Sequence, residues 1–340
     1  MKFLIVRTDK LGDSLLTLPV AAKLKGHFSD CRVYFLSASY TAPIIAKSKF
    51  VDEVIASDKT NFFELAEILR RKKIDYAIIA RPTLKNALVI YFAGIKNRIG
   101  TKYRAYSFLF NHRVAHHRKE SKKHEALYNL DLLQPVGINN SNDLNEINFG
   151  LEPEIEIQYR VREKLKKSGV DFSKPLVVMH ISSGGSAVDW NYLNFKKLAH
   201  YIKTNSDAEI LLTGTHKDFL FLYELFLDFD YKVYNLAGEF NLVELFNLFT
   251  MVDVYIGNST GPTHLAAIAG CWIISFYPKI TVASQIRWGP ITKKRIIFEP
   301  EIECSDCTQE QCIKLNCMDS IQVEKVFKEV YRIITKKEWK

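Results

Sequence analysis

The chain has 340 residues, a net charge of +9 and a hydrophobic fraction of 47%. This length allows roughly two domains, and the composition is that of a globular protein that can bury a sizeable core. The most apolar stretch, residues 265–277, is shorter than the ~20 residues that a membrane-spanning helix needs. Charge also appears too early in "MKFLIVRTDK" for a secretory signal, so we expect a cytoplasmic protein.

Short apolar runs alternate with longer amphipathic segments along the first part of the chain. The predicted elements are strands at 3–6, 32–37 and 77–80 and helices at 14–28, 61–72 and 84–93. Apolar strands that alternate with helices are typical of parallel βαβ units. The alternation then stops, and it resumes only after residues 139–149, a polar, Asn-rich segment that is typical of a surface connector.

The positive charge is concentrated in residues 96–125, which hold nine Lys or Arg against two acids. One interpretation is a solvated loop or helix face. The other is a site for an anionic partner such as nucleic acid, phospholipid or a phosphorylated sugar. Tyr103, Tyr106 and Phe108 lie in the same segment, but no RNA-binding signature accompanies them.

The second part of the chain repeats the alternation. The predicted elements are strands at 176–180, 209–213, 232–235, 254–257 and 272–277, helices at 193–204, 217–226, 242–250 and 263–270, and a tail helix from 320. We therefore predict two doubly wound domains, 1–150 and 151–320, that face a central cleft, with ligands beyond the carboxyl ends of the strands. Residues 321–340 are expected to form a helix that packs back on the first domain.

The segment "RTDKLGD" follows the first strand and opens the first helix. Asp9 or Asp13 could cap that helix, because a side-chain oxygen accepts its free N–H groups. Two acids in five residues exceed what one cap requires, so the second is a candidate general base. Gly12 permits close backbone approach, and Lys10 either contacts a substrate or stays solvated.

Two polar turns in the second domain are candidate phosphate sites. In "GNSTGPTH", Ser259, Thr260 and Gly261 lie where a helix begins, and a helix N-terminus favours anions. In "HISSGGS", Ser182, Ser183 and Ser186 could line a backbone nest. Each turn could instead be structural. Neither is a P-loop, and the first turn of the chain is not G-x-G-x-x-G, so a nicotinamide enzyme is not favoured.

Several segments resemble glycosyltransferase family 9, the bacterial heptosyltransferases, in order along nearly the whole chain. They are "FLIVRTDKLGDSLLTLPVAAKLK" (3–25), "HEALYNLDLL" (124–133), "DWNYLNFKKLAHYI" (189–202), "GNSTGPTHLAAIAG" (257–270), and "FYPK" with "RWGP" (276–290). The resemblance implies the GT-B fold, with the acceptor on the first Rossmann-like domain and the nucleotide sugar on the second. It also implies inverting sugar transfer, typically of heptose from ADP-heptose to the inner core of lipopolysaccharide.

The resemblance also implies roles for single residues. Asp13 would take the proton from the acceptor hydroxyl. The residues implied on the donor side are Ser182, Ser183, Thr260, Gly261 and His264 at the phosphates, Gly214 and His216 at the ribose, and Phe240 at the base. His264 could instead be an ordinary helix histidine. The chain departs from the family at Val188, Ser259 and His216, so another nucleotide sugar is the alternative donor.

The basic segment lies in the half that the resemblance assigns to the acceptor. We therefore expect an anionic, lipid-linked saccharide and the inner face of the inner membrane as partners, and no nucleic acid. The residues expected to bind this acceptor are Lys10, Gly12, Lys102, Arg104, Arg118 and Lys122. A non-catalytic nucleotide-sugar-binding protein is a further alternative, but such a protein has little use for a base at Asp13.

The sugar transfer that the resemblance implies needs no catalytic metal, because N–H dipoles and hydroxyls at a helix start can stabilise a leaving diphosphate. The four cysteines Cys304, Cys307, Cys312 and Cys317 form a separate C-x₂-C-x₄-C-x₄-C cluster. Clustered thiols in a cytosolic protein suggest structural zinc, although this spacing is not a standard finger. Free or paired thiols are the alternative.

Overall fold

The computed structural model describes residues 1–185, 188–302 and 308–335, and the chain divides into two compact units, Met1–Glu152 and Pro153–Lys340. Each unit is built on a parallel sheet whose central strands are almost wholly buried, as parallel sheets with helices on their faces require. The predicted α/β class, with two doubly wound parallel sheets, is confirmed.

The first unit alternates strands and helices. In chain order they are β1 (Lys2–Val6), α1 (Leu11–Leu15), α2 (Leu18–His27), β2 (Arg32–Ser37), α3 (Ala42–Ile45), β3 (Glu53–Ala56), α4 (Phe62–Lys72), β4 (Tyr76–Ile79), α5 (Leu84–Phe92), β5 (Asn97–Thr101), β6 (His112–Val114) and α6 (Glu125–Leu130). In the described residues the sheet order is β3-β2-β1-β4-β5-β6, and the neighbouring strands pair parallel. The order reverses between β1 and β4, and ligands of doubly wound sheets bind at such a switch point.

Local sequence explains where these elements begin. Val6 at the end of β1 pairs with both Leu36 and Ile79, so three strands end level with one another. Asn61 caps α4 in a capping box with Glu64. The helix predicted over 14–28 is split into α1 and α2, and Pro19 lies in the first turn of α2, where its missing N–H costs nothing.

The prediction that the alternation stops after residue 93 is wrong. The basic segment contains β5 and β6, which extend the sheet on one side. These strands are short and carry polar residues, and β6 pairs on one edge only within the described chain, so neither shows the apolar run of a central strand. The segment is therefore partly sheet, with exposed cations in its loops and at Arg113 of β6.

The second unit repeats the same plan. In chain order its elements are α7 (Ile155–Lys167), β7 (Leu176–His180), α8 (Tyr192–Asn205), β8 (Glu209–Leu212), α9 (Phe219–Leu225), β9 (Tyr234–Asn235), α10 (Leu242–Phe249), β10 (Val254–Asn258), α11 (Gly261–Ala269), β11 (Trp272–Phe276), α12 (Gln285–Trp288), β12 (Arg295–Phe298), α13 (Gln309–Leu315) and α14 (Val323–Thr335). The sheet order within the described residues is β12-β11-β10-β7-β8-β9, so the switch point lies between β7 and β10.

The C-terminal helix belongs to the core of this second unit. α14 packs on α8, and Val326 and Val330 are fully buried there. The predicted packing of this helix on the first domain stays a prediction. No helix in the described ranges is both long enough and apolar enough to cross a bilayer.

Candidate functional site

The turn after β1 is organised around Arg7, a buried arginine that directly follows the strand. Its Nε donates to Asp9 Oδ1 at 2.7 Å, and its Nη2 donates to Asp13 Oδ1. Asp9 Oδ2 also pairs with Arg81 at 3.0 Å. Because Arg81 follows β4, this ion pair bridges the switch point between β1 and β4.

Asp13 has the geometry of a held but accessible carboxylate. Its side chain is 18% exposed. One oxygen is bound by Arg7, and its Oδ2 makes no hydrogen bond to the described part of the chain. The carboxylate is thus oriented through one oxygen and keeps the other for an incoming group.

Neither acid caps the helix, so that alternative is wrong. The N-cap of α1 is Lys10, which makes no side-chain capping bond, and Asp9 is engaged by Arg7 and Arg81 instead. Lys10 is exposed. Gly12 lies buried inside α1 in ordinary helical conformation, so it meets no need for an unusual dihedral.

The far side of Arg7 contacts the segment "HEALYNL", a contact that the sequence analysis missed. Glu125 is fully buried at the start of α6, and it accepts from Arg7 Nη1 at 3.1 Å and from Arg118. Asn129, one turn later, donates to Leu16 O and Thr17 Oγ1, both at 3.0 Å. The polar residues of this apolar segment therefore hold the turn that carries Asp13.

The predicted acceptor-binding cations divide into two groups. Lys102, Arg104 and Lys122 are exposed, and Lys122 pairs with Glu120 at 2.7 Å. Arg118 points inward, where it contacts Glu125, His116 and Asn129. The expectation that Arg118 is presented to an anionic partner is corrected by these contacts, because its charge is balanced by a buried acid.

In the second unit, the two predicted phosphate turns are neighbours at the switch point. Ser182 and Ser183 follow β7, Ser259 and Thr260 follow β10, and Gly257 of β10 is in register with His180 of β7. α11 begins at Gly261 with Pro262 in its first turn, and the first N–H groups of a helix have no intrahelical partners. Ser186 lies outside the described residues.

The turn after β7 differs from the open nest that the sequence predicted. Gly184 and Gly185 both have positive φ, +58° and +75°, a conformation that favours glycine. The Gly184 N–H donates to Ser182 Oγ and the Ser183 N–H to Asp189 Oδ2, each at 3.2 Å. A phosphate would have to displace both acceptors to use these two N–H groups.

Asn258 joins the two turns, and sequence reasoning missed it. Its amide is fully buried, and Nδ2 donates to Ile181 O while Oδ1 accepts from the Trp190 N–H, both at 2.8 Å. The same residue's carbonyl accepts from Thr263 Oγ1 at 2.6 Å, inside α11. One side chain therefore holds both ends of the 181–190 segment against the start of the helix.

The residues predicted at the ribose and base lie on adjoining loops. Gly238 donates to Gly214 O at 3.0 Å, and a Cβ at Gly238 would come within 2.8 Å of His216 Cα. This close approach explains a glycine two residues before Phe240. The Lys164 ammonium lies 5.0 Å from the centre of the Phe240 ring. Gly214, His216 and Phe240 are thus brought to one region of the second unit.

Two histidines are buried close to these turns. His264 lies in α11, in the turn that follows Gly261. His180 ends β7, with Nδ1 3.1 Å from Thr213 Oγ1, and burial lowers its pKa to about 4. His180 is therefore neutral near pH 7 and adds no positive charge at the donor turns.

The cysteine cluster is only partly described. Cys304 and Cys307 lie outside the described residues, while Cys312 and Cys317 are buried. Among the described residues, which omit two of the four thiols, no set of His, Cys, Asp or Glu is placed to hold a metal ion. Structural zinc therefore stays a prediction.

Two parallel doubly wound sheets, an acid held beyond the first strand and two hydroxyl-rich turns, one of which opens a helix, are the arrangement expected of a GT-B glycosyltransferase. The family model of glycosyltransferase family 9 (heptosyltransferase) matches residues 62–318, and the chain belongs to this family. The predicted family membership and enzyme class are thereby confirmed.

The relatives and neighbours agree with this assignment. A putative glycosyltransferase of Haemophilus influenzae is 29% identical over 88% of this chain and 89% of its own length. Lipooligosaccharide heptosyltransferase 2 of Campylobacter jejuni is 22% identical over 98% of each chain. The structure of Escherichia coli ADP-heptose LPS heptosyltransferase II superposes with a TM-score of 0.83 at 19% identity, covering 99% of this chain and 100% of that one. The structure of E. coli heptosyltransferase WaaC with ADP superposes with a TM-score of 0.73 at 15% identity, covering 98% of this chain and 99% of that one.

Proposed function

We propose that the chain transfers heptose from ADP-heptose, with inversion, to a hydroxyl of the lipopolysaccharide inner core at the cytoplasmic face of the inner membrane. The observation that carries this proposal is the state of Asp13. One oxygen is held by Arg7, and the other has no partner in the described chain. An oriented carboxylate with a spare oxygen suits a general base, which takes a proton as the acceptor hydroxyl attacks.

The ion pairs around Arg7 suit this role. Arg7 lies among three acids, Asp9, Asp13 and Glu125, so it keeps two anionic partners when Asp13 accepts a proton. The network therefore need not rearrange during the reaction. Preorganised charges of this kind cost no reorganisation at the moment of transfer.

The donor side needs to stabilise a leaving diphosphate. The free N–H groups at the start of α11 and the hydroxyls of Ser259 and Thr260 provide fixed dipoles there. Ser182 and Ser183 lie on the neighbouring turn, and His264 lies in the helix itself. In this proposal these groups stabilise the growing negative charge without a metal ion.

The names of the relatives and neighbours support heptose and ADP as the donor parts. They include a lipooligosaccharide heptosyltransferase, an ADP-heptose heptosyltransferase and an enzyme solved with ADP. The chain departs from the family pattern at Ser259 and His216, two residues on the proposed donor side. A different nucleotide sugar is therefore the second candidate. Lys10, Lys102, Arg104 and Lys122 are the exposed cations that would meet an anionic acceptor.

A thermal-shift screen followed by a transfer assay tests the proposal. ADP-heptose and ADP should stabilise the protein, by about 2.7 kcal/mol at about 100 times the dissociation constant, and UDP and GDP should not. ADP release should then require a heptose-accepting core saccharide. Stabilisation by a uridine or guanosine sugar alone would favour the second candidate. ADP-heptose binding without transfer to any core saccharide would make the chain a binding protein.

A further inference from the structure

Residues 76–119 contain no Asp or Glu and nine Lys or Arg. The chain has 38 acids in 340 residues, so a run of these 44 positions would be expected to hold about five. This acid-free run extends from β4 through α5, β5 and β6. Arg81 and Arg118 of this run pair with Asp9 and Glu125 from outside it. The run itself supplies no carboxylate to its remaining cations, so a surface that exposes them attracts anions.

The same part of the first unit exposes several large apolar side chains, three of which are joined by ring contacts. Phe63 is 79% and Phe108 73% exposed, and about half of Leu84, Tyr91 and Phe92 is exposed. The Phe62 ring lies 5.3 Å from Phe63 and 5.8 Å from Phe92, and Phe92 lies 5.8 Å from Tyr91. Single exposed apolar residues are ordinary, whereas connected ones mark an interaction surface.

Arg98 joins this group to Phe108. Its guanidinium lies 5.3 Å from the centre of the Tyr91 ring, and its Nε donates to Leu109 O at 2.7 Å. We call the surface formed by Phe63, Leu84, Tyr91, Phe92 and Phe108 the aromatic face. Exposed cations in the acid-free run are Lys85, Lys96, Lys102, Arg104 and Arg113.

The helix α4, which carries Phe63, also carries two acids, and both are already engaged. Glu67 pairs with Arg70 at 2.8 Å and Arg71 at 2.9 Å, and Glu64 completes the capping box of that helix. The charge of Glu67 is therefore offset by neighbours on the same helix, and Glu64 is bound to the Asn61 N–H. The elements that come next, from β4 to β6, lie in the acid-free run and add only positive charge to this surface.

The end of the aromatic face at Leu84 lies beside the turn that carries Asp13. α5 begins three residues after Arg81, and Asn86 on α5 donates to Thr8 Oγ1 at 3.1 Å and to Arg81 O at 3.0 Å. An acceptor that reaches Asp13 while still attached to lipid would thus have its lipid close to this face.

We propose that the aromatic face, with its flanking lysines and arginines, binds an anionic lipid bilayer. The rings would enter the boundary between headgroups and acyl chains, and the cations would contact the lipid phosphates. Aromatic side chains suit that boundary. Each additional Lys or Arg near the surface tightens the binding of a protein to an anionic leaflet roughly fivefold. The inference rests on the proposed function only in that a lipid-linked acceptor gives the binding a purpose.

Flotation of the full chain with vesicles of phosphatidylglycerol and phosphatidylethanolamine tests the proposal. The protein should float with these vesicles and not with phosphatidylcholine alone, and binding should fall at least about tenfold between about 0.05 M and about 0.5 M NaCl. The double variant Phe63→Gln with Phe108→Gln should lose at least about tenfold in vesicle binding at low salt. Both side chains are largely exposed, so the fold should remain intact.

The matched control is Leu220→Gln with Leu227→Gln, which removes two similarly exposed side chains beside Glu224 and Asp228 in the second unit. This control should float like the unaltered chain. Failure of the unaltered chain to float, or equal flotation of the two double variants, would overturn the proposal. A dimer in light scattering that the Phe63 and Phe108 changes dissociate would identify a second copy as the true partner. The proposed function is tested separately on the same proteins. The measurements are thermal stabilisation by ADP and sugar transfer to a delipidated core saccharide, neither of which needs a membrane.

Discussion

Replacing Asp13 with Asn removes the proposed base and keeps the shape of the side chain. Turnover should fall by roughly 10²–10⁴, the usual worth of a general base. Donor affinity should stay within about twofold, because every predicted donor contact lies in the second unit. The change should therefore appear in kcat and not in the KM for the donor.

The structure also sets the expected effect on stability. Arg7 keeps its contacts to Asp9 at 2.7 Å and to Glu125 at 3.1 Å, and the Asn amide oxygen can still accept from it. Removal of one partner from a buried ion pair costs about 3–5 kcal/mol when the other charge is left alone. Arg7 is not left alone here, because Asp9 and Glu125 still pair with it. We expect a loss of about 1 kcal/mol, or about 2–4 °C in Tm.

Glu125→Gln is the comparison that separates chemistry from support. Glu125 is fully buried and pairs with both Arg7 and Arg118. Arg7 keeps Asp9 and Asp13 when Glu125 is neutralised, whereas Arg118 loses the carboxylate that balances its charge. That variant should lose about 3 kcal/mol of stability, roughly three times the effect of Asp13→Asn.

Two assays on the purified variants decide between these roles. ADP release with donor and core acceptor gives kcat and KM, and differential scanning fluorimetry gives Tm. Turnover of Asp13→Asn within about threefold of the unaltered chain would refute the assignment of the base. A Tm loss for Asp13→Asn that equals the loss for Glu125→Gln would refute the account of the Arg7 network.

Four further predictions concern the second unit. Gly261→Val should weaken ADP binding at least about tenfold in calorimetry, because a branched side chain would block phosphate approach to the start of α11; unchanged affinity would place the donor elsewhere. Asn258→Ala should raise the KM for the donor more than it lowers kcat in steady-state assays, because the 181–190 segment loses hydrogen bonds at both ends; an unchanged KM would show that this tie is only structural. Burial lowers the pKa of His180 to about 4, below the ~6.5 of an unfolded histidine, so stability should be lost as pH falls between these values. Urea unfolding should show a loss of up to about 3 kcal/mol that His180→Asn reduces, and an equal loss in the variant would contradict this. If the four cysteines bind zinc, elemental analysis should find about one equivalent that Cys312→Ser removes; a metal-free native protein would favour free or paired thiols.

The sequence predicted the elements whose burial is plain in a short window. Strands such as β1, β7 and β10 are continuous apolar runs because both of their faces are covered. The loops beyond them could then be assigned to the carboxyl edge by the rule for doubly wound sheets, which is why the turn of Asp13 and the turn of Thr260 were found.

The elements that were missed have weaker local signals or were overlooked. β5 and β6 are short and polar, so apolar content could not find them. α7 had a usable signal, because Ile157, Val161 and Leu165 recur every four residues and are buried. The role of Asn258 had no local signal, since its two backbone partners are 68 and 77 residues away in sequence.

Net charge counted along a sequence overstates what a surface offers to a partner. Arg118 belongs to the most basic segment of the chain, yet its charge is balanced by Glu125, and Glu125 in turn binds Arg7 across 118 residues. Arg98 is likewise engaged by the carbonyls of Ile95 and Leu109. The cations that remain exposed, such as Lys85 and Lys96, belong to the same segment as the exposed Tyr91, Phe92 and Phe108. The same segment therefore has two roles. Its inward-facing arginines hold the turn of Asp13 and the edge of the sheet, and its exposed lysines make the surroundings of the aromatic face positively charged. A charge-reversal experiment that mixes the two groups would lose the fold and the binding together, so the variants must be chosen by burial and not by position in the sequence.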